Sequence, residues 1–314
     1  MLWTLLPFCA AFFYALGSSI QNYLVDLALP RGRAGVFILA RLPVFILSAI
    51  CLPLLFGRSV FVLPLTTALG FILAGAVNVF ASMQYFKALQ LGDTMDVTIF
   101  NQATPLFSLG LGVAFLDEVI TVNQALGFLF IFAAIALILI TTSSKKSRHT
   151  PNLRVAGLTL FYGFFSVLSD IIYVYFFGNH TADFVLFAQS FCFFQIGSGI
   201  FTLLALIFIP SWRKVFRQTF LAPKKRHFLL AALLDCLCFI VAEVLFKLGL
   251  ILAPVVALLT VISKAVGIFA SFILNLAFGK VFPKFFHSRR ITKRLLFIYA
   301  LASILVVMGV FTMS

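Results

Sequence analysis

Residues 85–140 give the clearest indication of how this chain folds, and they read YFKALQLGDTMDVTIFNQATPLFSLGLGVAFLDEVITVNQALGFLFIFAAIALILI. Two apolar segments lie in them, at about 94–116 and about 122–141, joined by a few polar residues. Each segment is close to the roughly 20 residues that a helix needs to cross a hydrocarbon layer. The first segment also contains Asn101, Gln102 and Pro105, which a purely lipid-facing anchor does not need. These residues predict two membrane helices, the first of them facing the interior of a bundle.

The composition of the chain excludes a soluble domain and indicates a polytopic membrane protein. Of its 314 residues, 63% are hydrophobic and only 10% are charged, and the mean hydropathy is +1.15. Soluble domains are about half apolar and a quarter charged. The net charge of +14 lies mainly in short loops, where basic residues set topology and contact anionic lipid. We therefore expect the lipid bilayer, and no nucleic acid, as a partner.

Ten apolar segments can be counted along the chain, five on each side of a basic linker. Their approximate bounds are 2–24, 35–56, 64–86, 94–116, 122–141, 155–177, 183–209, 228–250, 254–278 and 295–313. This division predicts one five-helix unit over residues 1–144, a linker over 145–154 and a second five-helix unit over 155–314. Because five crossings are an odd number, the second unit enters the membrane from the opposite side. That arrangement is the inverted repeat common in secondary transporters.

An ordered pattern of eight residues runs through the quoted segment: Tyr85, Phe86, Ala88, Leu89, Pro105, Glu118, Gln124 and Gly127. In this order and spacing the segment resembles the EamA-type branch of the drug/metabolite transporter superfamily. The resemblance implies an all-α integral membrane fold of ten transmembrane helices, arranged as two inverted five-helix repeats with one cavity between them. It covers the second half of one repeat, and Glu118 has no acidic counterpart in the second unit.

The loop charges predict the orientation of the chain in the membrane. Most Lys and Arg residues follow the first, third, fifth, seventh and ninth apolar segments. Cytoplasmic loops carry an excess of basic residues, so these loops are expected in the cytoplasm and both termini outside. We expect a multi-pass protein of the cell membrane that is either a monomer or a homodimer.

Five ionisable residues fall inside the apolar segments: Arg41, Asp170, Asp235, Glu243 and Lys264. A charge at the centre of a membrane helix costs roughly 2.5–3.5 kcal/mol on insertion scales, so each is a candidate for function. With a rise of about 1.5 Å per residue, Arg41 and Asp235 lie at the same depth near the basic face. Lys264 approaches the midplane, where it is expected to pair with Glu243 or Asp170. Each of these two groups of charges has two interpretations. It either binds a charged solute or forms a structural ion pair between helices.

Glu243 has a further interpretation, because Lys247 lies four residues on and would form an ordinary surface pair with it at a helix end. Uncharged amides at membrane depth more often hold helices together than bind ligands. Asn101 and Gln102 are exceptions because Pro105 has no N–H group, which leaves a backbone carbonyl free in the same turn. The predicted substrate-binding residues are Arg41, Asn101, Gln102, Asp170, Gln189, Asp235, Glu243 and Lys264.

The chain is predicted to be a secondary transporter that moves a small-molecule solute, an amino acid or a similar charged or zwitterionic metabolite, by alternating access. No G-x-x-x-x-G-K-[ST] motif is present, so the chain itself does not couple transport to ATP. The four histidines lie in loops or at helix ends, and we expect neither a metal site nor a cofactor. The alternative is an integral-membrane lipid-handling protein, a scramblase or a lipid-modifying enzyme. An enzyme is not expected, because the interface acids are not matched by a histidine.

Overall fold

The computed structural model describes residues 2–28, 34–91, 97, 100–101, 103–143, 153–178, 183–220 and 226–281, together with nine positions between 297 and 312. Within these residues every regular element is a helix. The α-helices are α1 (Leu2–Ala28), α2 (Leu42–Phe56), α3 (Leu65–Leu91), α4 (Thr104–Leu116), α5 (Val122–Ser143), α6 (Leu153–Phe177), α7 (Phe184–Phe208), α8 (Pro210–Phe220), α9 (Arg226–Leu252) and α10 (Val256–Val281). Most of the predicted linker and of the tenth apolar segment lies outside the described residues.

The helices follow the predicted apolar segments. Five stretches in the described part of the chain are long and apolar enough to cross a membrane: Thr4–Gln21, Phe37–Phe56, Leu65–Leu91, Leu153–Phe177 and Phe184–Phe208. Shorter apolar helices occur within α4, α5 and α10. The remaining long helix, α9, differs because Asp235, Glu243 and Lys247 lie along it. A membrane helix with such a sequence is expected to turn these residues towards other helices, where the charges find partners.

One helix, α8, lies where the sequence predicted only a basic loop. Trp212 and Val215 are buried, whereas the three basic residues of this helix are exposed. It packs against α7 and against Ala34–Arg41, a 3-10 helix that precedes α2. A short helix with one apolar and one basic side is typical of segments that lie along a membrane surface. The prediction of a loop was therefore wrong for these residues, and the predicted membrane segments on either side of them are unaffected.

The first helix of the chain packs with the last helices of the described part. α1 runs along α9 and also contacts α10. Tyr14 Oη donates to Glu243 Oε2 at 2.7 Å, and Gln21 Nε2 donates to Asp235 Oδ1 at 2.7 Å. Residue numbers rise along α1 while they fall along α9, so the two helices are antiparallel.

A matching arrangement joins α6 to the helices that precede it. α6 packs along α3 and also contacts α4. Ser169 Oγ donates to the carbonyl oxygen of Ala74 at 2.8 Å, and the rings of Tyr85 and Tyr162 lie 4.9 Å apart between centroids. These contacts make α3 and α6 antiparallel. The two halves of the chain therefore interlock, because each places its first helix among helices of the other.

The crossing of α3 and α7 is so close that glycine is required on both helices. A Cβ atom on Gly75 would collide with the carbonyl oxygen of Phe194, and one on Gly197 with the carbonyl oxygen of Ile72. Ser198 Oγ donates to the carbonyl oxygen of Gly75 at 3.2 Å. Small residues allow membrane helices to approach in this way, and the resulting packing replaces the hydrophobic effect that is absent in lipid.

Candidate functional site

A cavity of about 250 Å³ lies among α1, α3, α4, α6, α9 and α10, beside the beginning of α2. Drug-sized ligands occupy pockets of about 300–1,000 Å³, so this cavity suits a smaller solute. Six of the eight predicted binding residues line it: Arg41, Asn101, Asp170, Asp235, Glu243 and Lys264. Gln189 does not line the cavity, contrary to the prediction, because it lies on α7, and no residue of α7 lines the cavity. Gln102 lies outside the described residues.

The predicted pairing of Arg41 with Asp235 is confirmed. Arg41 Nε lies 3.5 Å from Asp235 Oδ2, and the two residues are 4% and 0% exposed. Gln21 binds the other oxygen of the same carboxylate, a contact that the sequence did not identify. The guanidinium carbon of Arg41 lies 3.8 Å from the ring centroid of Phe239, within the range of a cation–π contact. The ion pair therefore has polar and aromatic support on one wall of the cavity.

Lys247 is a buried residue and not the surface residue that the sequence suggested. It is 0% exposed, and its Nζ lies 2.6 Å from Asp170 Oδ1 and 4.0 Å from Glu243 Oε1. The rings of Tyr173 and Phe194 lie 4.7 and 4.5 Å from the same nitrogen. The interpretation of Glu243 and Lys247 as a surface pair at a helix end is wrong, because both are buried. One ammonium group thus stands behind two carboxylates that face the cavity.

The predicted pairing of Lys264 with Glu243 or Asp170 is wrong within the described residues. Both carboxylates have Lys247 as their cation, and Glu243 also accepts the hydroxyl of Tyr14. Lys264 lines the cavity, as expected from its depth, but its Nζ donates to Asn101 Oδ1 at 3.3 Å. The reason is that α9 supplies its own lysine to these acids, which leaves the lysine of α10 beside α4.

The polar turn at Asn101 owes its shape to Pro105, as predicted. Pro105 lacks the N–H that would bond to the carbonyl of Asn101, four residues earlier. Thr104 Oγ1 shares its single hydrogen between that carbonyl oxygen at 2.6 Å and Asn101 Oδ1 at 2.9 Å. The carbonyl freed by the proline is therefore satisfied by a side chain. This turn places Asn101 and Thr104 on the cavity wall.

Comparisons with known proteins identify the first part of the chain. Residues 1–140 match the EamA-like transporter family. The resemblance drawn from residues 85–140 is thereby confirmed, and the chain is a multi-pass membrane protein with an EamA-like transporter region. One solved structure, described only as the crystal structure of a protein, aligns with 99% of this chain and 95% of its own at a TM-score of 0.68. Its sequence identity is 16%, so the likeness concerns the fold alone. A search of curated proteins finds no match.

In the EamA-like region, Glu118 connects two helices that are distant in the sequence. Asp117 ends α4 in a left-handed conformation with a φ of 52°, which directs the Glu118 side chain back towards Gly112. Glu118 Oε1 then accepts the backbone N–H of Val256, at the start of α10, at 2.6 Å. Helix N-termini carry unpaired N–H groups and a partial positive charge, so a carboxylate there is stabilising. The acid of the sequence pattern is therefore a cap for a helix of the other half.

Buried apolar side chains pack beside the cavity on the side of the Glu118 contact. They are Ala10, Val167, Ile171, Phe246, Leu250, Val256 and Leu259. The cavity lining itself lies around the middle of the helices, from Ala11 to Gln21 on α1 and from Asp235 to Phe246 on α9. On α6 it runs from Tyr162 to Asp170, again about midway between the two ends of the helix. The cavity is thus at middle depth in the bundle.

Proposed function

We propose that this protein is a secondary transporter of a small charged or zwitterionic metabolite, such as an amino acid, which it moves across the cell membrane by alternating access. The observation that carries the proposal is the cavity, which holds basic and acidic groups at helix depth. Intramembrane charges that face a cavity mark the routes of solutes and ions. The EamA-like match over residues 1–140 agrees with transport.

The packing of the helices supports two inverted repeats of five membrane helices each. α1 contacts α9 and α10, and α6 contacts α3 and α4. If α8 is a surface helix, then α9 and α10 are the eighth and ninth membrane helices. If the two repeats are exchanged, α1 corresponds to α6, α9 to α3 and α10 to α4. The contacts of α1 with α9 and α10 then become the contacts of α6 with α3 and α4. A pseudo-two-fold axis in the membrane plane has this effect, and transporters built in this way bind solutes near the midplane.

The proposed orientation places both termini outside the cell. α1 ends and α6 begins next to basic parts of the sequence, Arg31 and Arg33 after α1 and Lys145, Lys146 and Arg148 before α6. An excess of Lys and Arg marks cytoplasmic loops. The apolar cluster and the Glu118–Val256 contact then lie on the external side of the cavity.

Alternating access requires the packing on the external side and the packing on the cytoplasmic side to open in turn. On the external side, the Glu118 carboxyl group and the N–H group that it binds belong to different halves, because Glu118 follows α4 and Val256 begins α10. Rocking of the two repeats would separate them without unfolding either helix. A solute drives such a change only by the difference between its affinities for the two states.

Counterflow in liposomes tests the proposal. Vesicles containing the full-length protein and an unlabelled amino-acid mixture are diluted into the same mixture labelled with carbon-14. We expect one or a few amino acids to accumulate transiently above equilibrium, and the accumulation to saturate. The matched variants are Asp170→Asn in the cavity, which should reduce counterflow, and Asp117→Asn in an exposed turn, which should not; because Asp170 is paired with buried Lys247, the two are compared at equal amounts of folded protein. Absence of counterflow, above all with lipid scrambling in the same vesicles, would overturn the proposal.

A further inference from the structure

Lys264 differs from the other two basic residues near the cavity because no carboxylate of the described residues lies within 4 Å of its ammonium group, although the charge of Asp170 acts on it from further away. Arg41 is paired with Asp235, and Lys247 is paired with Asp170. The only hydrogen bond seen for the Lys264 ammonium to a described residue is the one to Asn101 Oδ1. We infer that Lys264, oriented by Asn101, is the subsite for an anionic group, carboxylate or phosphate, on the transported solute. This inference rests on the proposed function and specifies the chemistry of the solute.

The hydrogen-bonding capacity of Lys264 exceeds what the surrounding protein uses. An ammonium group has three N–H donors and no acceptor. One donor is used by Asn101 at 3.3 Å, a distance that is long for a charge-assisted bond. The side chain lines the cavity, so the remaining donors are available to a bound molecule. A charge at membrane depth is costly unless it is paired, and an anionic solute supplies the missing partner.

The Asn101 side chain holds the ammonium group in place. Its Oδ1 accepts hydrogen bonds from Thr104 Oγ1 and from Lys264 Nζ at once. Thr104 is fixed in turn by the carbonyl that Pro105 leaves free. The subsite is therefore built on the turn that leads into α4 and on the first half of α10. Its two parts come from different halves of the chain, so movement of one half against the other alters the subsite.

An aromatic surface next to Lys264 favours a solute with a flat apolar body. The Lys264 nitrogen lies 5.8 Å from the ring centroid of Tyr162, and Tyr162 packs against Tyr85 at 4.9 Å. Seven aromatic side chains of the described residues line the cavity: Phe13, Tyr14, Tyr85, Phe86, Tyr162, Phe239 and Phe246. A small aryl compound with one anionic group matches this combination of charge and surface. The two carboxylates beside Lys247 remain for an ammonium group of the same solute.

Four compounds that differ in charge test the subsite on the purified full-length protein. Phenylalanine and 3-phenylpropionate carry a carboxylate, phenyl phosphate carries a phosphate, and phenylalaninamide has no anionic group. Dissociation constants measured by calorimetry should be at least tenfold lower for phenylalanine than for phenylalaninamide, since a hydrogen bond to a charged group is involved. Whichever of 3-phenylpropionate and phenyl phosphate has the lower dissociation constant then identifies the anion, carboxylate or phosphate, that the site prefers.

Two substitutions alter the charge of the subsite in different ways. Lys264→Gln should weaken binding of the three anions at least tenfold and leave phenylalaninamide unchanged, whereas Lys264→Arg should keep most of the affinity. Asn101→Asp retains the lysine but gives it an internal carboxylate. This variant should also lose at least tenfold in anion affinity, and it should melt at a higher temperature than the wild type. It therefore serves as the test if Lys264→Gln does not fold.

The inference is overturned if phenylalaninamide binds as well as phenylalanine, if no anion binds, or if Lys264→Gln and Asn101→Asp bind the anions as the wild type does. Counterflow distinguishes this failure from failure of the proposed function. Saturable counterflow that neither substitution alters, and that 3-phenylpropionate does not inhibit, would refute the subsite and leave transport standing. Anion binding that depends on Lys264, without counterflow of any amino acid, would refute transport and leave the subsite standing.

Discussion

Lys247 and Asp170 form a buried ion pair between α9 and α6, with Nζ 2.6 Å from Oδ1. Lys247 is fully buried, and Glu243 lies one helical turn before it at 4.0 Å. The two carboxylates therefore share one ammonium group. Loss of one partner of a buried pair is far more costly than loss of both, because a charge is left without compensation.

The first prediction concerns Lys247. Lys247→Gln should lower the free energy of unfolding by about 3–5 kcal/mol, because Asp170 and Glu243 are left buried without a cation. Thermal melting in detergent measures the change. Lys264→Gln is the matched control, since the same substitution there breaks no ion pair in the described residues and should cost little. Equal melting temperatures for the two variants would contradict the assignment of Lys247 as the structural lysine.

The sequence predicted Arg41 and Asp235 but not Lys247, and the reason is geometric. Helix rise converts residue number into depth, so two residues on different helices can be matched in depth from their positions in the sequence alone. Depth gives no information on the side of the helix that a residue occupies. Lys247 lies near the end of α9, where a lysine often reaches the membrane surface. Its inward direction depends on the packing of α9 against α6, which spacing in the sequence does not reveal.

The contact of Glu118 with the other half was beyond prediction from the sequence, unlike the Arg41–Asp235 pair, which matching depths indicated. Glu118 was recognised as part of a family-like pattern, but its partner Val256 lies 138 residues away. The bond between them depends on how the halves interlock. The polar turn at Asn101 was predictable because its cause, Pro105, lies in the same turn. Local chemistry and depth were therefore accessible from the sequence, whereas contacts that depend on which way a side chain faces required the structure.

The second prediction is a coupling between Arg41 and Asp235. Arg41→Gln and Asp235→Asn should each lower the free energy of unfolding by about 3–5 kcal/mol, whereas the double variant should recover much of the loss. Melting temperatures of the four proteins give the coupling energy. Because both residues line the cavity, we expect counterflow to stay low in the double variant although stability returns. Additive losses would show that the two residues do not interact.

The third prediction concerns the crossing of α3 and α7. Gly197→Ala should destabilise the protein by about 1–3 kcal/mol, because the added methyl group meets the carbonyl oxygen of Ile72, and backbone cannot easily move away. Gly110→Ala is the matched control, since among the described residues no atom beyond the backbone of its own helix and its chain neighbours lies within 4 Å of a Cβ at that position. Alanine favours a helix over glycine, so this control should melt at the same or a higher temperature. A tolerated Gly197→Ala would show that the helices are further apart than described.

The fourth prediction concerns the cap that Glu118 forms on α10. Glu118→Ala removes the acceptor of the Val256 N–H and should cost about 1 kcal/mol, the usual value for a helix cap. Glu118→Gln keeps an oxygen in the same place and should retain most of the stability. Melting of the two variants against the wild type tests this, and Asp117→Asn, in an exposed part of the turn, is the control. The cap is refuted if the alanine and glutamine variants melt at the same temperature.

The last prediction is the pH dependence of this cap. Glu118 lies in the turn after α4, outside the helices, and burial raises its pKa, although backbone N–H groups of Val256 and Ala257 oppose the shift. Its Oε2 has no hydrogen-bond partner among the described residues, which also favours the protonated form. The native state therefore keeps this proton to a higher pH than the unfolded chain, whose glutamates titrate at about 4.3.

A raised pKa in the native state contributes stability that is complete below the unfolded pKa and is lost as the pH rises through the native value. The Glu118→Gln variant has no titratable group at this position. The contributions of all other titratable groups to the pH dependence of stability therefore cancel when the variant is compared with the wild type. The stability of the wild type relative to Glu118→Gln should therefore decrease as the pH rises from about 4 through the native pKa, and then remain constant. Melting curves of both proteins across this range measure the difference. A difference that increases with pH would mean that the helix N-terminus outweighs burial and that Glu118 caps α10 as a stabilised carboxylate.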